Sequence, residues 1–254
     1  MTGLDNKDLE LAKLKLLGFK CKPISDNGTV ICVKDNFEVL IIPDTVESFR
    51  INKKLAEYSG TNIELKVCGG KHLESTSGLF RSLNYKTIDL SELDTSNVTD
   101  MSFMFAHSSI KNLKISSLNT SKVIDMSHMF LGCITNGIDL RNFDTANVLL
   151  MDGMFKRSRI PEINLLNLKV DKLNMADGMF LGCISNNIII NKEAFDKINR
   201  LNYNDYDARD KMFNIIDNLS SNDCIAENSV LNITDNLSSN DCSNENSVSD
   251  IIDN

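Results

Sequence analysis

The sequence predicts an α/β repeat solenoid of about six coils, each 25 residues long. Three observations predict this fold class: a Met-Phe pair recurs every 25 residues, an apolar triplet recurs in phase with it, and the composition changes after residue 212. Hydrophobic residues make up 42% of the 254 residues, which is enough to form a core of this size. The predicted segments are an α+β N-terminal cap (1–60), the solenoid (61–192), a capping helix (193–212) and a disordered tail (213–254).

The first segment has the pattern of a small α+β unit. Residues 5–17 predict an amphipathic helix that ends at Gly18. Strands are predicted at 19–22, 29–34 and 37–42. The turn sequence Asp26-Asn27-Gly28 favours a hairpin between the first two. We expect this unit to cover the first coil, because the open end of a solenoid would otherwise associate with other chains.

The solenoid is predicted from an internal repeat. Its Met-Phe pairs are Met104-Phe105, Met129-Phe130, Met154-Phe155 and Met179-Phe180. The apolar triplets are Ile63/Leu65, Ile88/Leu90, Leu113/Ile115, Ile138/Leu140, Ile163/Leu165 and Ile188/Ile190. Each triplet alternates apolar and polar residues, which predicts a short strand with one buried face. One such coil cannot bury its apolar face alone, so we expect the coils to stack into a continuous core.

The second half of each coil is predicted to be helical. Val98, Met101 and Phe105 stand at positions i, i+3 and i+7, which is one face of about two helical turns. The recurring Met-Phe pairs are interpreted as packing residues of the core rather than as a cofactor-binding motif.

Two coils carry a longer motif, LDTSNVTDMSFMF at 93–105 and LNTSKVIDMSHMF at 118–130. This motif resembles the BspA-like leucine-rich repeat, whose coil reads L-D-T-S-N-V-T-x-M-x-x-M-F-x-G-C. The resemblance is strongest over 88–183, and the coils at 143–155 and 168–180 depart from the pattern. The resemblance implies a leucine-rich-repeat-like solenoid that binds other proteins without enzymatic activity. It also implies that export to a bacterial surface is common among such proteins.

The C-terminal part of the chain differs in composition from the coils. Ala194, Phe195, Ile198 and Leu201 lie at helical spacing and predict the capping helix. Beyond it, the octapeptide at 217–224 returns at 235–242 in an 18-residue repeat rich in Asn, Ser and Asp. This segment has too little apolar surface to offset the entropy of ordering, which predicts disorder.

The cysteines and the N-terminus bear on the compartment. The seven cysteines are Cys21, Cys32, Cys68, Cys133, Cys183, Cys224 and Cys242. They include no CxxC pair, and their odd number without an apolar leader indicates reduced thiols in a cytoplasmic protein. Cys133 and Cys183 share their coil position with Ser108 and Ser158, so we interpret them as buried, inert thiols. A surface or secreted location is the alternative that the family resemblance implies.

The sequence contains no recognisable catalytic arrangement. His72, His107 and His128 lie outside the nucleophile and metal-binding motifs, and Gly69-Gly70-Lys71 lacks the rest of a phosphate-binding loop. The acidic residues recur with the coil, which favours hydrogen bonds in turns over acid–base chemistry. We therefore expect no enzyme, no catalytic residue, no cofactor and no metal.

The predicted function is protein–protein interaction. Residues 201–254 carry two basic and eleven acidic side chains, while the rest of the chain is almost neutral. Because the chain has no basic stripe and no long apolar run, we expect neither nucleic-acid binding nor membrane insertion. The outward residues of the strands are predicted to bind the protein partner: Asp89, Ser91, Lys114, Ser116, Asp139, Arg141, Asn164 and Leu166. The alternatives are a surface adhesin exported by an unrecognised route and a phage- or mobile-element-encoded intracellular inhibitor of a host protein.

Overall fold

A computed structural model describes residues 6–44, 52–202, 213–216 and 230–232. These residues form a β-solenoid of about six turns, so the predicted repeat solenoid is confirmed. The helices within them are α1 (Asn6–Leu16), α2 (Asn52–Leu55) and α3 (Lys192–Leu201). The predicted α/β class overestimates the helical content of the coils, because they are built from strands and turns.

The strands form two sheets. The six-stranded sheet has the order β1 (Lys20–Pro23), β2 (Val30–Lys34), β3 (Phe37–Ile42), β4 (Gly60–Gly69), β5 (Asn84–Leu93) and β6 (Ser109–Lys114). The five-stranded sheet contains β7 (Ile138–Asp139), β8 (Glu162–Leu165), β9 (Asn187–Asn191), β10 (Phe213–Ile216) and β11 (Val230–Asn232), in reverse order from β11 to β7. Neighbouring strands from β3 to β6 and from β7 to β10 are parallel, as stacked coils require.

The N-terminal unit continues the solenoid sheet. β1 and β2 form the predicted antiparallel hairpin, and β3 pairs with β4 in parallel. α1 lies over the outer side of these strands, where Leu11 and Leu14 pack against Val30, Cys32 and Ile41. The unit therefore adds strands to the edge of the first coil and covers one of their faces.

The interior of the coils is a ladder of identical side chains. The rings of Phe80, Phe105, Phe130, Phe155 and Phe180 stack in sequence with centroid distances of 5.3 to 5.6 Å. The methionine before each of the middle rings is fully buried. The interpretation of the Met-Phe pairs as core residues is confirmed.

The predicted helix at 98–105 is wrong, because this part of the coil is a series of tight turns. Alternate amides donate to the next coil, as Met101 N donates to Asp125 O and Phe105 N to Met129 O. The amides between them close four-residue turns, as Ala106 N donates to Phe103 O. Such turns return side chains to the interior every three or four residues, so their sequence spacing imitates that of a helix.

The turns also explain the glycines of the repeat. Phe103 and His107 have φ angles of 56° and 58°, and most equivalent positions in the other coils are glycine. A Cβ at Gly153 would lie 2.8 Å from His128 Nε2, so the conformation and the stacked neighbour both favour glycine there.

The prediction that all the thiols are reduced is wrong, because Cys21 and Cys32 form a disulfide. They are register partners in the hairpin, and their Cα atoms lie 3.9 Å apart. A count of cysteines cannot show this proximity, which arises only when β1 and β2 pair. Cys133 and Cys183 are buried as predicted, and burial raises the pKa of Cys133 to about 11, although the hydrogen bond with Ser108 opposes the shift.

The last coil is covered by a helix and further strands. Asn191 caps the start of α3, since its side chain accepts a hydrogen bond from Ala194 N, and the helix buries Ala194 and Ile198. β10 and β11 lie within the segment predicted to be a disordered tail (213–254), and β10 pairs with β9. The remainder of that prediction lies outside the described residues.

Candidate functional site

The strand face, defined here as the eight predicted partner-binding residues, is largely at the surface. Asp89, Ser91, Lys114, Ser116, Asp139, Arg141 and Asn164 are exposed or half-buried. Leu166 is buried, with 5% of its surface exposed, so its predicted exposure is wrong. Its backbone lies against the start of α3, where Asn191 Nδ2 donates to Leu166 O, and the end of the solenoid closes over this position.

The charges of the strand face are already paired. Lys114 Nζ lies 2.9 Å from Asp89 Oδ2, and Arg141 lies 2.7 Å from Asp139 Oδ2. Burial raises the pKa of Asp89, but hydrogen bonds from Ser91 and Lys114 outweigh that effect and lower the pKa to about 2.

Several of these side chains also shape the backbone. Asp89 accepts a hydrogen bond from Ser91 N, and Asp139 accepts one from Arg141 N. These Asx turns recur at the corners of the coils, where Asp94, Asp100, Asp125 and Asp144 accept from the amide two residues later. The predicted structural role of the repeated acidic residues is confirmed for these positions.

A groove of about 520 Å³ lies at the other end of the same strands. Two columns, meaning sets of residues at one position in successive coils, form most of it. The first column is Ser109, Ile134, Arg159 and Ile184, and isolated parallel bridges join its members. The second column is Lys111, Asn136, Pro161 and Asn186. β6 contributes Ser109 and Lys111 to the groove at its start and Lys114 to the strand face at its end, so the two surfaces lie at opposite ends of the same strand.

The chemistry of the groove differs from that of the strand face. Ile134 and Ile184 are exposed by 47% and 59%, although apolar side chains of this size are usually buried. Within the part of the chain that the structure describes, no carboxylate lines the groove, and Lys111 and Arg159 have no acidic partner. The groove is therefore apolar and cationic on a chain whose net charge is −8.

The floor of the groove contains an unsatisfied hydroxyl group. Thr135 is 3% exposed, and its Oγ1 has no hydrogen-bond partner among the described residues. The neighbouring hydroxyl of Tyr85 is satisfied, since it donates to Glu38 Oε2 over 2.9 Å. A buried polar atom without a partner destabilises a protein, and Thr135 Oγ1 lies beneath the surface of the groove, where a ligand does not reach it.

The sequence pattern assigned no role to the residues that follow Cys133 and Cys183, so this groove was not predicted. The available signal was the apolar character of positions 134 and 184. Only the stacking of the coils shows that these side chains point outward.

Glu38 makes the stability of the structure depend on pH. Burial raises its pKa to about 7, and the hydrogen bond from Tyr85 only partly opposes this shift. In the unfolded chain the ordinary pKa of about 4.5 applies, so the folded state binds the proton of Glu38 more tightly than the unfolded state does. The resulting stabilisation of the fold is complete below pH 4.5 and is lost as the pH rises to about 7.

We expect the Glu38→Gln variant to be more stable than the wild type at pH 8 and to lose this pH dependence. The difference should approach about 3 kcal/mol, because each pKa unit corresponds to about 1.4 kcal/mol. Urea denaturation at pH 5 and pH 8 measures it. A wild-type protein that is equally stable at both pH values would contradict the assignment.

Comparison with known proteins relates the coils to a family. Residues 74–194 match the model of the family described as "Mycoplasma protein of unknown function, DUF285". The match extends from the end of the first turn of the solenoid to the start of α3. No curated protein and no solved structure matches the chain. Among the described residues, none of the helices is long and apolar enough to cross a bilayer.

Proposed function

We propose that this chain is a non-enzymatic protein-interaction module of the BspA-like leucine-rich-repeat type, and that the groove receives a segment of the partner. The observation that carries the proposal is the combination of exposed isoleucines with two cations, Lys111 and Arg159, that have no acidic partner among the described residues. Neighbouring cations on the same surface are neutralised by carboxylates. The charges of Lys111 and Arg159 are therefore available to a partner.

The scaffold beneath the groove is suited to binding. The columns of the groove are attached to a core of stacked phenylalanines, so their spacing is fixed before a partner arrives. A rigid surface loses little conformational entropy when it binds. The family resemblance of the coils supports the same function.

The strand face is assigned to the rim of this binding surface. Its charges are exposed and paired, and charges of this kind affect the rate of association more than the final affinity. We therefore retain Asp89, Ser91, Lys114, Ser116, Asp139, Arg141 and Asn164 as secondary contacts for the partner.

Capture from a lysate of cells that naturally produce the protein tests this function. We expect Ile134→Gln/Ile184→Gln to lose the partner that the wild type retains, because the change removes the apolar contacts of the groove. The matched control is Ile124→Gln/Met175→Gln, which alters two apolar residues exposed by 43% and 51% elsewhere on the coils. The same partner on all three proteins, or none on the wild type, would count against the proposal.

The disulfide favours one of the alternatives to a cytoplasmic protein. Disulfides persist in oxidising compartments and are rare in the cytosol. The Cys21–Cys32 bond therefore supports an exported surface adhesin as the second candidate.

We expect the chain isolated from its native cells to resist thiol labelling at Cys21 and Cys32. The protein should be trapped with acid, denatured, and treated with a maleimide before and after reduction. Cys133, which has no disulfide partner, serves as the internal control that reacts without reduction. Complete labelling of all three before reduction would favour the cytoplasmic alternative.

A further inference from the structure

We propose that residues 233–254 of this same chain occupy the groove when no partner is bound. The inference rests on the proposed function, because it makes this segment a competitor of the partner. Four features carry it: the place where the described chain ends, the length of the segment, its charge, and the exposed amide side chains along the groove.

The described chain ends beside the groove. β10 runs parallel to β9, with Asn214 opposite Ile189, and β11 runs antiparallel to β10, with Asn232 opposite Asn214. The chain therefore leaves β11 in the direction of the start of β9. Ile184 and Asn186, the last residues of the two groove columns, lie immediately before that start.

The segment is long enough to follow the groove. Four coil spacings separate Asn84 from Ile184, which corresponds to about 19 Å at ~4.8 Å for each step. Residues 233–254 comprise 22 residues, which can span up to about 70 Å when extended. The segment can therefore reach every coil of the groove without disturbing β10 or β11.

The composition of the segment complements the groove. It contains five acidic residues, Asp235, Asp241, Glu245, Asp250 and Asp253, and neither lysine nor arginine. It also contains the isolated aliphatic residues Ile233, Leu237, Val248, Ile251 and Ile252. The groove offers the opposite set, with exposed isoleucines and two cations that have no acidic partner within the described part of the chain. Charge pairing at Lys111 and Arg159 would fix the position of the segment, and the aliphatic contacts would add burial.

The second column of the groove supplies further points of contact. The side chains of Asn136 and Asn186 are exposed there. An extended segment offers backbone carbonyl and amide groups, as well as Asn and Ser side chains, that can hydrogen-bond to these amides.

Hydrogen–deuterium exchange on the full chain tests the proposal, with a synthetic peptide of residues 233–254 as the reference for free exchange. In the wild type at low salt, we expect the amides of 233–254 to exchange at least about fivefold more slowly than in the peptide. The difference should disappear near 1 M salt, where the screening length falls to about 3 Å. The variant Lys111→Glu/Arg159→Glu should restore the exchange rate of the free peptide.

The matched control is Lys122→Glu/Lys172→Glu. It makes the same change of charge at two exposed lysines, whose Nζ atoms donate to Asn97 and Asn147 outside the groove. This variant should keep the slow exchange. If circular dichroism shows that the groove variant fails to fold, Lys111→Gln/Arg159→Gln replaces it.

Three results would overturn the proposal. The segment would be free if it exchanged like the peptide in the wild type. It would lie elsewhere if the groove variants kept the slow exchange. It would bind a second copy if the slow exchange appeared only at high protein concentration. Failure of the proposed function would be seen in a different experiment, namely partner capture with Ile134→Gln/Ile184→Gln, and not in the exchange rates of 233–254.

Discussion

The Phe130→Ala variant should lose about 3–5 kcal/mol of unfolding free energy. Phe130 is fully buried, and its ring stacks between Phe105 at 5.5 Å and Phe155 at 5.3 Å. Truncation leaves a cavity between two coils that the rigid ladder cannot close, since the rings on both sides are held by their own neighbours. Urea denaturation followed by circular dichroism measures the loss.

The control for this variant is Phe37→Ala. Phe37 lies on β3 with 54% of its surface exposed, so its truncation should cost less than about 1 kcal/mol. Equal losses for the two variants would show that the phenylalanine ladder does not hold the coils together.

The Gly69→Ala variant should be destabilised by about 2–4 kcal/mol, because two independent effects act at this residue. Gly69 has a φ of 88°, which L-residues with a side chain rarely adopt. A Cβ there would also lie 2.1 Å from the carbonyl oxygen of Ile42 on β3, so the backbone would have to move. The damage would fall where the N-terminal unit joins the first coil.

Gly137→Ala provides the comparison. Gly137 does not have a positive φ, and a Cβ there would meet Glu162 O at 3.6 Å, which is ordinary contact. Its thermal unfolding should stay close to that of the wild type. If Gly69→Ala were equally harmless, the parallel pairing of β3 with β4 would not exist as described.

The strands and the core could be predicted from the sequence because their signals are local and repeated. The alternation at Ile163 and Leu165 and the period of the Met-Phe pairs both follow from the stacking of equivalent residues. The turn segment was misread because successive four-residue turns and an α-helix bury side chains at similar spacings. The distinction lies in where the amide of Met101 donates, which is another coil.

The binding surface was only partly predictable for a different reason. Side-chain alternation correctly places Lys114 and Arg141 on the surface, but it gives no indication that Asp89 and Asp139 neutralise them. The exposure of Ile134 and the buried, unpaired hydroxyl of Thr135 depend on how neighbouring coils are stacked. Leu166 was misplaced because the start of α3 closes over the end of the solenoid, which no pattern within a coil can show.

The most direct test of the groove as the binding surface compares equilibrium affinities for the captured partner. Ile134→Gln/Ile184→Gln should weaken binding by at least about 30-fold, which corresponds to 2 kcal/mol and is typical of central contacts. The strand-face variant Lys114→Glu/Asp139→Lys/Arg141→Glu should weaken it by less than about fivefold, as expected for a charged rim. The reverse order, with the strand-face variant losing the partner and the groove variant keeping wild-type affinity, would contradict the account.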